Sequence, residues 1–322
     1  MSDNLLVSVI IVNYNGMALL EKCLSSLSDT QYNNYEVIVV DNSSSDGSSA
    51  LVRDKYPHVT LVQLDRNYGF AKPNNIGAKK AKGEYLVFLN NDTEVSPEWL
   101  TELVKVAQHD TKIAICQSLL LKNDGIDSSG DFVDDLGRAY SDKNHKDDVA
   151  PILSARGAAM FAKKDFFWDL GGFDEKFFVS FEDIDIGWRA WLWGYKVYLV
   201  PKSVVYHRGR ATISRLEEEI AFHAVKNSIL LRLVNFEGGM SFRSLVVISF
   251  VILMRKLFGL TIVNDPEVAP PLPGFRTILK AVRWIVVNHS YVCSKKKLVN
   301  SRRIITTKDL MEKGLITKFS FR

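Results

Sequence analysis

Val7-Ser-Val-Ile-Ile-Val-Asn-Tyr-Asn-Gly16 decides the fold. Its first part is apolar and β-branched, apart from one serine, and it stops at a polar turn. That pattern reads as a buried strand feeding a loop. Residues 17–29 then carry apolar side chains at helical spacing: Leu20, Cys23, Leu24 and Leu27. The same unit recurs. Tyr35–Val40 is a second strand, closed by Asp41–Gly47 and followed by a helix over about 47–56. Val59–Leu64 is a third strand, with a helix over 72–82 ending at Gly83. Tyr85–Leu89 is a fourth, running into Asn90-Asn91-Asp92, with a helix over 97–109. Repeated strand–helix alternation predicts an α/β fold with a doubly wound, mostly parallel sheet. Such sheets bind ligands beyond the carboxyl ends of their strands. The loops to watch are therefore Asn13–Gly16, Asp41–Gly47, Arg66–Asn75 and Asn90–Asp92, all rich in Asn, Asp and Gly.

The first loop has no G-x-G-x-x-G, and no G-x-x-x-x-G-K-[ST] occurs anywhere in the chain. This argues against a dinucleotide dehydrogenase and a P-loop enzyme. Residues 124–148 form a long polar stretch, read as a functional flap or mobile segment. Residues 152–163 read as a strand containing small residues, and Asp165–Leu170 as a short helix. Next comes Phe177-Phe-Val-Ser-Phe-Glu-Asp-Ile-Asp-Ile-Gly-Trp-Arg189, in which Glu182, Asp183 and Asp185 crowd together beside aromatic rings. In the first turn of a helix such acids serve the helix dipole. Beside apolar rings, a carboxylate can instead have a raised pKa and act as a general base. Trp188, Trp191 and Trp193 follow, read as core residues, with a ligand-stacking platform as the alternative.

The composition is ordinary for a globular protein: 47% hydrophobic and 24% charged over 322 residues. That excludes a disordered chain, a collagen-like repeat and a multi-span membrane protein. The net charge of +4 hides an asymmetry. Residues 241–322 hold 15 basic and 4 acidic side chains, giving +11, so residues 1–240 carry −7. A basic tail on an acidic body points to an anionic partner. Cys23, Cys116 and Cys293 are far apart and odd in number, which indicates neither a disulfide framework nor a zinc site. The first residues lack the basic start and cleavage site of a signal peptide. The expected location is cytoplasmic, peripheral on the inner face of the cell membrane.

Taken together, the motifs resemble a family-2, inverting glycosyltransferase with the GT-A fold, close to the bacterial rhamnosyltransferase-like group. The resemblance covers about residues 7–235. It rests on V-S-V-I-I-V-N-Y-N (7–15), V-I-V-V-D-N-S-S-S-D-G (37–47), R-N-Y-G-F-A-K-P-N-N-I-G (66–77) and F-L-N-N-D-T (88–93). It continues in G-G-F-D-E-K-F-F (171–178), F-E-D-I-D (181–185) and V-V-Y-H (204–207). No piece is specific alone; seven in the family's order are.

The resemblance implies roles residue by residue. Asn13 and Asn15 belong to the first nucleotide loop, and Asp41 resembles the residue that hydrogen-bonds the base. A carboxylate, a pure acceptor, suits the imide N–H of uracil or thymine. Arg66, Asn67, Gly69, Asn74 and Asn75 resemble the loop and helix start around nucleotide and sugar. Asn90-Asn91-Asp92 resembles the D-x-D motif. Asp92 would ligate Mg²⁺ or Mn²⁺, with His207 completing the shell. Arg156 and Gly157 would line the sugar pocket. Asp183 would be the base, and Glu182 and Asp185 would orient the acceptor or hold Arg189. Pro73 departs from the glycine usual at its position.

The implied activity is transfer of a hexose from a nucleotide-diphosphate sugar (dTDP- or UDP-linked, with dTDP-rhamnose one candidate) to a hydroxyl of a glycan or lipid-linked acceptor in cell-surface polysaccharide synthesis. The rivals are a sugar nucleotidyltransferase and a catalytically dead nucleotide-sugar-binding scaffold. Intact Asp92 and Asp183 argue against the second. The first would need a Gly-rich basic signature that Val12–Met17 lacks. Residues 1–240 are expected to form the transferase domain and 241–322 a basic, apolar, helical extension. The apolar part of 242–263 is too short to cross a bilayer. For the extension, docking on an anionic membrane surface stands beside a helical hairpin packed on the body and a homo-oligomer contact. Nucleic acid is excluded as a partner, because no recognised binding motif accompanies the charge.

Overall fold

The computed structural model describes residues 5–209, 217–247 and 274–319. Most of the apolar–basic stretch 242–263 thus lies outside the described residues. The first half alternates β1 (Val7–Asn13), α1 (Met17–Leu27), β2 (Tyr35–Asp41), α2 (Ser48–Lys55), β3 (Thr60–Gln63), α3 (Ala71–Lys80), β4 (Tyr85–Asn90), β5 (Thr93–Val95) and α4 (Trp99–His109). There follow β6 (Ile113–Lys122), β7 (Gly125–Ser128), β8 (Asp131–Asp134), β9 (Ala139–Ser141), β10 (Ala150–Pro151), β11 (Ala159–Lys163), α5 (Lys164–Asp169), α6 (Glu182–Leu192) and β12 (Lys196–His207). The last described elements are α7 (Glu217–Asn235), α8 (Phe275–Val287), α9 (His289–Ser301), α10 (Thr307–Glu312) and β13 (Ile316–Thr317).

The main sheet runs β10-β12-β6-β11-β4-β1-β2-β3. β1 pairs in parallel with both β2 and β4, and β2 with β3. β11 is antiparallel to β4 and to β6, so the sheet is mixed but mostly parallel, as expected. Successive β1 side chains alternate between the two faces. Ile10 enters one core with Ile38, Leu86 and Phe88, whereas Val9 and Ile11 enter the other with Val39 and Val87. α1 and α4 cover the second face through Leu20, Leu24, Trp99 and Leu103; α3, α6 and α7 cover the first through Ala78, Trp188 and Leu230. Burying both faces explains why β1, β2 and β4 read as continuous apolar runs. Trp188, Trp191 and Trp193 are buried in the first of these cores, as the core reading expected.

One expectation changes. The 124–148 stretch is not an unstructured flap: it holds β7, which extends the main sheet, and β8–β9, which form a second small sheet with β13. These short polar strands lack apolar alternation, so periodicity did not reveal them. Pro73 stands in the first turn of α3, where a backbone N–H has no intrahelical partner, so proline breaks no helical hydrogen bond there.

The described part of 241–322 packs on the body. α8 and α9 lie against α7. β13 pairs with β8. Lys295 of α9 reaches Asp174, and also Asp185 at 3.0 Å. Among the described residues no helix is long and apolar enough to cross a membrane.

Candidate active site

The strand register brings the polar strand ends together: Asn13 pairs with Asp41 and Val12 with Asn90. Asp41 is buried; one carboxylate oxygen accepts Ser44 N–H at 3.2 Å, and Oδ1 has no partner. A buried acceptor without a donor is costly to keep, and a ligand N–H would satisfy it. Asn13 donates to Ser44 Oγ at 3.2 Å and accepts from Asn91 at 2.7 Å. Asn15, at φ 49, accepts Ser45 N–H at 2.8 Å. Asn42, which sequence reasoning passed over, ties the next loop to this one. Its amide donates to Asn67 Oδ1 and to the Gly69 carbonyl, both at 2.8 Å. Arg66 and Lys72 both lie over the Tyr68 ring, at 4.7 and 3.9 Å from its centroid.

Asn74 and Asn75 each hydrogen-bond the backbone. Asn74 donates to the Phe70 carbonyl at 2.9 Å. Asn75 donates to the Phe173 carbonyl at 2.8 Å and accepts Phe173 N–H at 3.0 Å, pinning the Gly171–Asp174 turn to α3.

β5 doubles back to pair with the end of β12, with Thr93 opposite His207. That pairing sets His207 Nε2 3.4 Å from Asp92 Oδ1 and 3.4 Å from the Asn90 amide. Behind the ring, His207 Nδ1 lies 2.8 Å from Asp127 on β7. An ionised carboxylate only accepts, so Nδ1 carries the hydrogen and Nε2 points at Asp92. Burial opposes the imidazolium form, but Asp127 and Asp92 outweigh it and lift His207 to about 9. A carboxylate–histidine arrangement of this kind orients ligating imidazoles in metal sites. Asp92 and His207 therefore fit Mg²⁺ or Mn²⁺, with phosphate and water oxygens as the remaining ligands. Among the described residues no group of three or more His, Cys, Asp or Glu forms a complete cage.

Asp127 also pairs with Arg156 at 3.1 Å and with Lys122 at 2.7 Å. Arg156 in turn pairs with Asp131 at 3.1 Å and bonds Ser141. Its guanidinium is thereby held by two aspartates, Asp127 and Asp131. Its neighbour Gly157 donates its N–H to Asp183 Oδ2 at 3.0 Å, and Ile184 N–H reaches Oδ1 at 2.8 Å. Asp183 stays half-buried. Burial, and next the Asp131 charge, raise its pKa to about 6 against the pull of those two N–H groups and Arg156. Glu182 is buried with Oε2 unpartnered, and burial followed by the Asp183 charge lifts its pKa well above the usual range.

Asp185 departs from its expected place among the catalytic groups. Two positions along a helix are about 200° of rotation, so it points away from Asp183 into the core. There it meets Arg189 at 2.9 Å, Lys295 at 3.0 Å and Asn235 at 3.4 Å. Of its two expected roles, holding Arg189 is the one seen.

The loop before α6 is unusual. Phe178, Ser180 and Phe181 all have positive φ, at 64°, 69° and 71°, a conformation costing roughly 1–3 kcal/mol per residue outside glycine. Asn227 of α7 holds it, with its amide reaching the carbonyls of Phe177 (2.9 Å), Val179 (2.9 Å) and Ser180 (2.7 Å). On the other side, the Phe178 carbonyl accepts from Phe70 N–H at 2.6 Å and Ala71 N–H at 3.2 Å. Phe178 presses so closely on Gly69 that any β-carbon there would collide with it.

Fold and site together define a GT-A-type α/β domain. Residues 8–165 match the family described as "Glycosyl transferase family 2". Over 222 residues it is 31% identical to the O-antigen biosynthesis protein RfbC of Myxococcus xanthus, a match covering 64% of this chain and 17% of that protein. It is 24% identical to the N-acetylglucosaminyl-diphospho-decaprenol L-rhamnosyltransferase of Mycobacterium tuberculosis, covering 69% of this chain and 83% of that one. Among solved structures, GalNAc-T7 with UDP, GalNAc and Mn²⁺ superposes with a TM-score of 0.63 at 19% identity, covering 90% of this chain and 58% of that one. TarS 1–349 of S. aureus gives 0.58 at 18% identity, covering 94% and 88%. These likenesses show the fold.

Proposed function

We propose that the protein is an inverting glycosyltransferase. It moves a hexose from a dTDP- or UDP-linked donor, dTDP-rhamnose among the candidates, to a hydroxyl of a glycan or lipid-linked acceptor. One observation carries this reading: the adjacent residues Arg156 and Gly157 join the two halves of the chemistry. Gly157 N–H holds Asp183, and the Arg156 guanidinium holds Asp127 behind His207. A half-buried carboxylate with a pKa of about 6 is matched to deprotonating a hydroxyl near neutral pH.

In this reading Asp41 Oδ1 accepts the imide N–H of the base, and Asn13 and Asn15 shape the loop beside it. Asp183 takes the acceptor proton on a carboxylate oxygen as the acceptor oxygen bonds to the anomeric carbon. The bond from that carbon to the diphosphate breaks on the opposite face, and its electron pair stays with the leaving oxygen, so configuration inverts. A divalent ion held by Asp92 and His207 would offset the charge developing on that diphosphate. The relatives named for O-antigen biosynthesis and for rhamnosyl transfer to a decaprenyl diphosphate sugar support a role in cell-surface polysaccharide assembly.

A thermal-shift screen of UDP-, dTDP- and GDP-sugars with and without Mn²⁺ tests the reading, since stabilisation follows occupancy. The expected pattern is Mn²⁺-dependent stabilisation by a UDP- or dTDP-sugar. No shift with any donor would overturn it.

A further inference from the structure

α8 has two apolar faces where a helix packed on a protein needs one. Its inner face carries Ala281, Trp284 and Ile285 against the core. On the other side Phe275, Leu279, Val282 and Val286 recur at i, i+4, i+7 and i+11, which aligns them in one stripe. They are 67%, 51%, 45% and 68% exposed, and among the described residues nothing covers them. Arg276, Lys280 and Arg283 are also exposed and line one edge of the stripe. No acidic residue occurs between 275 and 308.

We propose that this outer face of α8 docks the protein on an anionic lipid bilayer, with the stripe at the headgroup boundary and the three cations against lipid phosphates. An exposed apolar stripe beside clustered cations is the signature of helices that lie in a membrane interface. Each Lys or Arg near such a surface strengthens partitioning roughly five-fold. Nucleic acid would match the charge but offers its backbone, not an apolar surface, to the stripe. A second copy would match the stripe, but a two-fold contact repeats the same patch on both partners. That contact would leave the cations with no acid on the helix to pair them.

The position of the face suits this role. Trp284, on the inner side of α8, lies under Lys226 Nζ at 4.7 Å. Lys226 bonds the Lys176 carbonyl, and the next residue, Asn227, holds the loop that leads into Asp183. The docking helix is thus two contacts from the loop that leads into the base.

Flotation of the full chain with vesicles of phosphatidylglycerol and phosphatidylcholine, against phosphatidylcholine alone, reads the proposal without reference to turnover. The expected result is at least roughly ten-fold stronger binding to the anionic vesicles, weakening sharply as salt rises to about 1 M. Leu279→Asp with Val286→Asp, and separately Arg276→Glu with Lys280→Glu and Arg283→Glu, should each lose that binding. Both sets sit on the surface, so melting temperature and vesicle-free light scattering should match the parent chain. Equal binding to neutral vesicles, retained binding in both variants, or salt-insensitive dimers abolished by the same substitutions would overturn it.

Discussion

Asp127 accepts the Nδ1 hydrogen of His207 at 2.8 Å, and so aims Nε2 at Asp92. The carboxylate sits on β7, some eighty positions from the histidine in the chain, and both reach the site because β7 and β12 border β6.

Asp127→Asn should therefore weaken Mn²⁺ binding about 10- to 100-fold, the usual effect of removing a group that orients a metal ligand. Titration followed by the free Mn²⁺ paramagnetic signal measures it. Unchanged affinity would separate His207 from the metal.

Asp183→Asn should lower kcat by about 10²–10⁴-fold while leaving donor affinity in place. The parent enzyme should show the matching pH profile. The base works deprotonated and its pKa is about 6, so kcat/KM should level above pH 6. Below it, the rate should fall tenfold per unit. A flat profile through pH 5 would remove Asp183 as base.

Asp41→Ala should cost about 10- to 100-fold in affinity for UDP or dTDP, the worth of one hydrogen bond to a charged acceptor. Because Oδ1 is unpartnered without ligand, much of that loss should appear only in binding, not in denaturant stability. Calorimetry with the nucleotide alone distinguishes the two.

Asn227→Ala should strip the support from three carbonyls of the positive-φ loop. Leaving such buried acceptors unmet costs about 1–3 kcal/mol each at most sites, so a loss of about 2–4 kcal/mol in urea titration is expected. Because the same loop caps Phe70 and Ala71, kcat should fall more than stability alone requires at a temperature where the variant is fully folded.

Lys295→Met should be worse for folding than for chemistry. It would leave buried Asp185 and half-buried Asp174 without their shared cation, and breaking a buried pair from one side costs about 3–5 kcal/mol. Urea titration checks this; a loss under about 1 kcal/mol would show that Arg189 alone suffices for Asp185.

The strands and the polar ends of β1, β2 and β4 were legible because both faces of the sheet are buried and the chain stops being apolar where the sheet stops. Asp92 and His207 were legible as a pair only through resemblance; what brings them together is the β5–β12 pairing, which no local pattern reports. Asp127 hid in a stretch read as a flap, since its short strands carry polar side chains. Asp185 misled for the opposite reason: it is close to Asp183 in sequence, yet helical rotation turns it to the other side. Asn227 and Lys295 gave no signal, because each acts only through residues more than forty positions away.

The pairing of Lys295 with Asp185 also bears on how the protein is made. Synthesis reaches α6 more than a hundred residues before it supplies that lysine. While the chain emerges from the ribosome, the helix that begins with Glu182 has Arg189 but not its second countercharge. β8 likewise waits for β13. The half that carries the base thus completes its contacts only after α9 and β13 have left the exit tunnel.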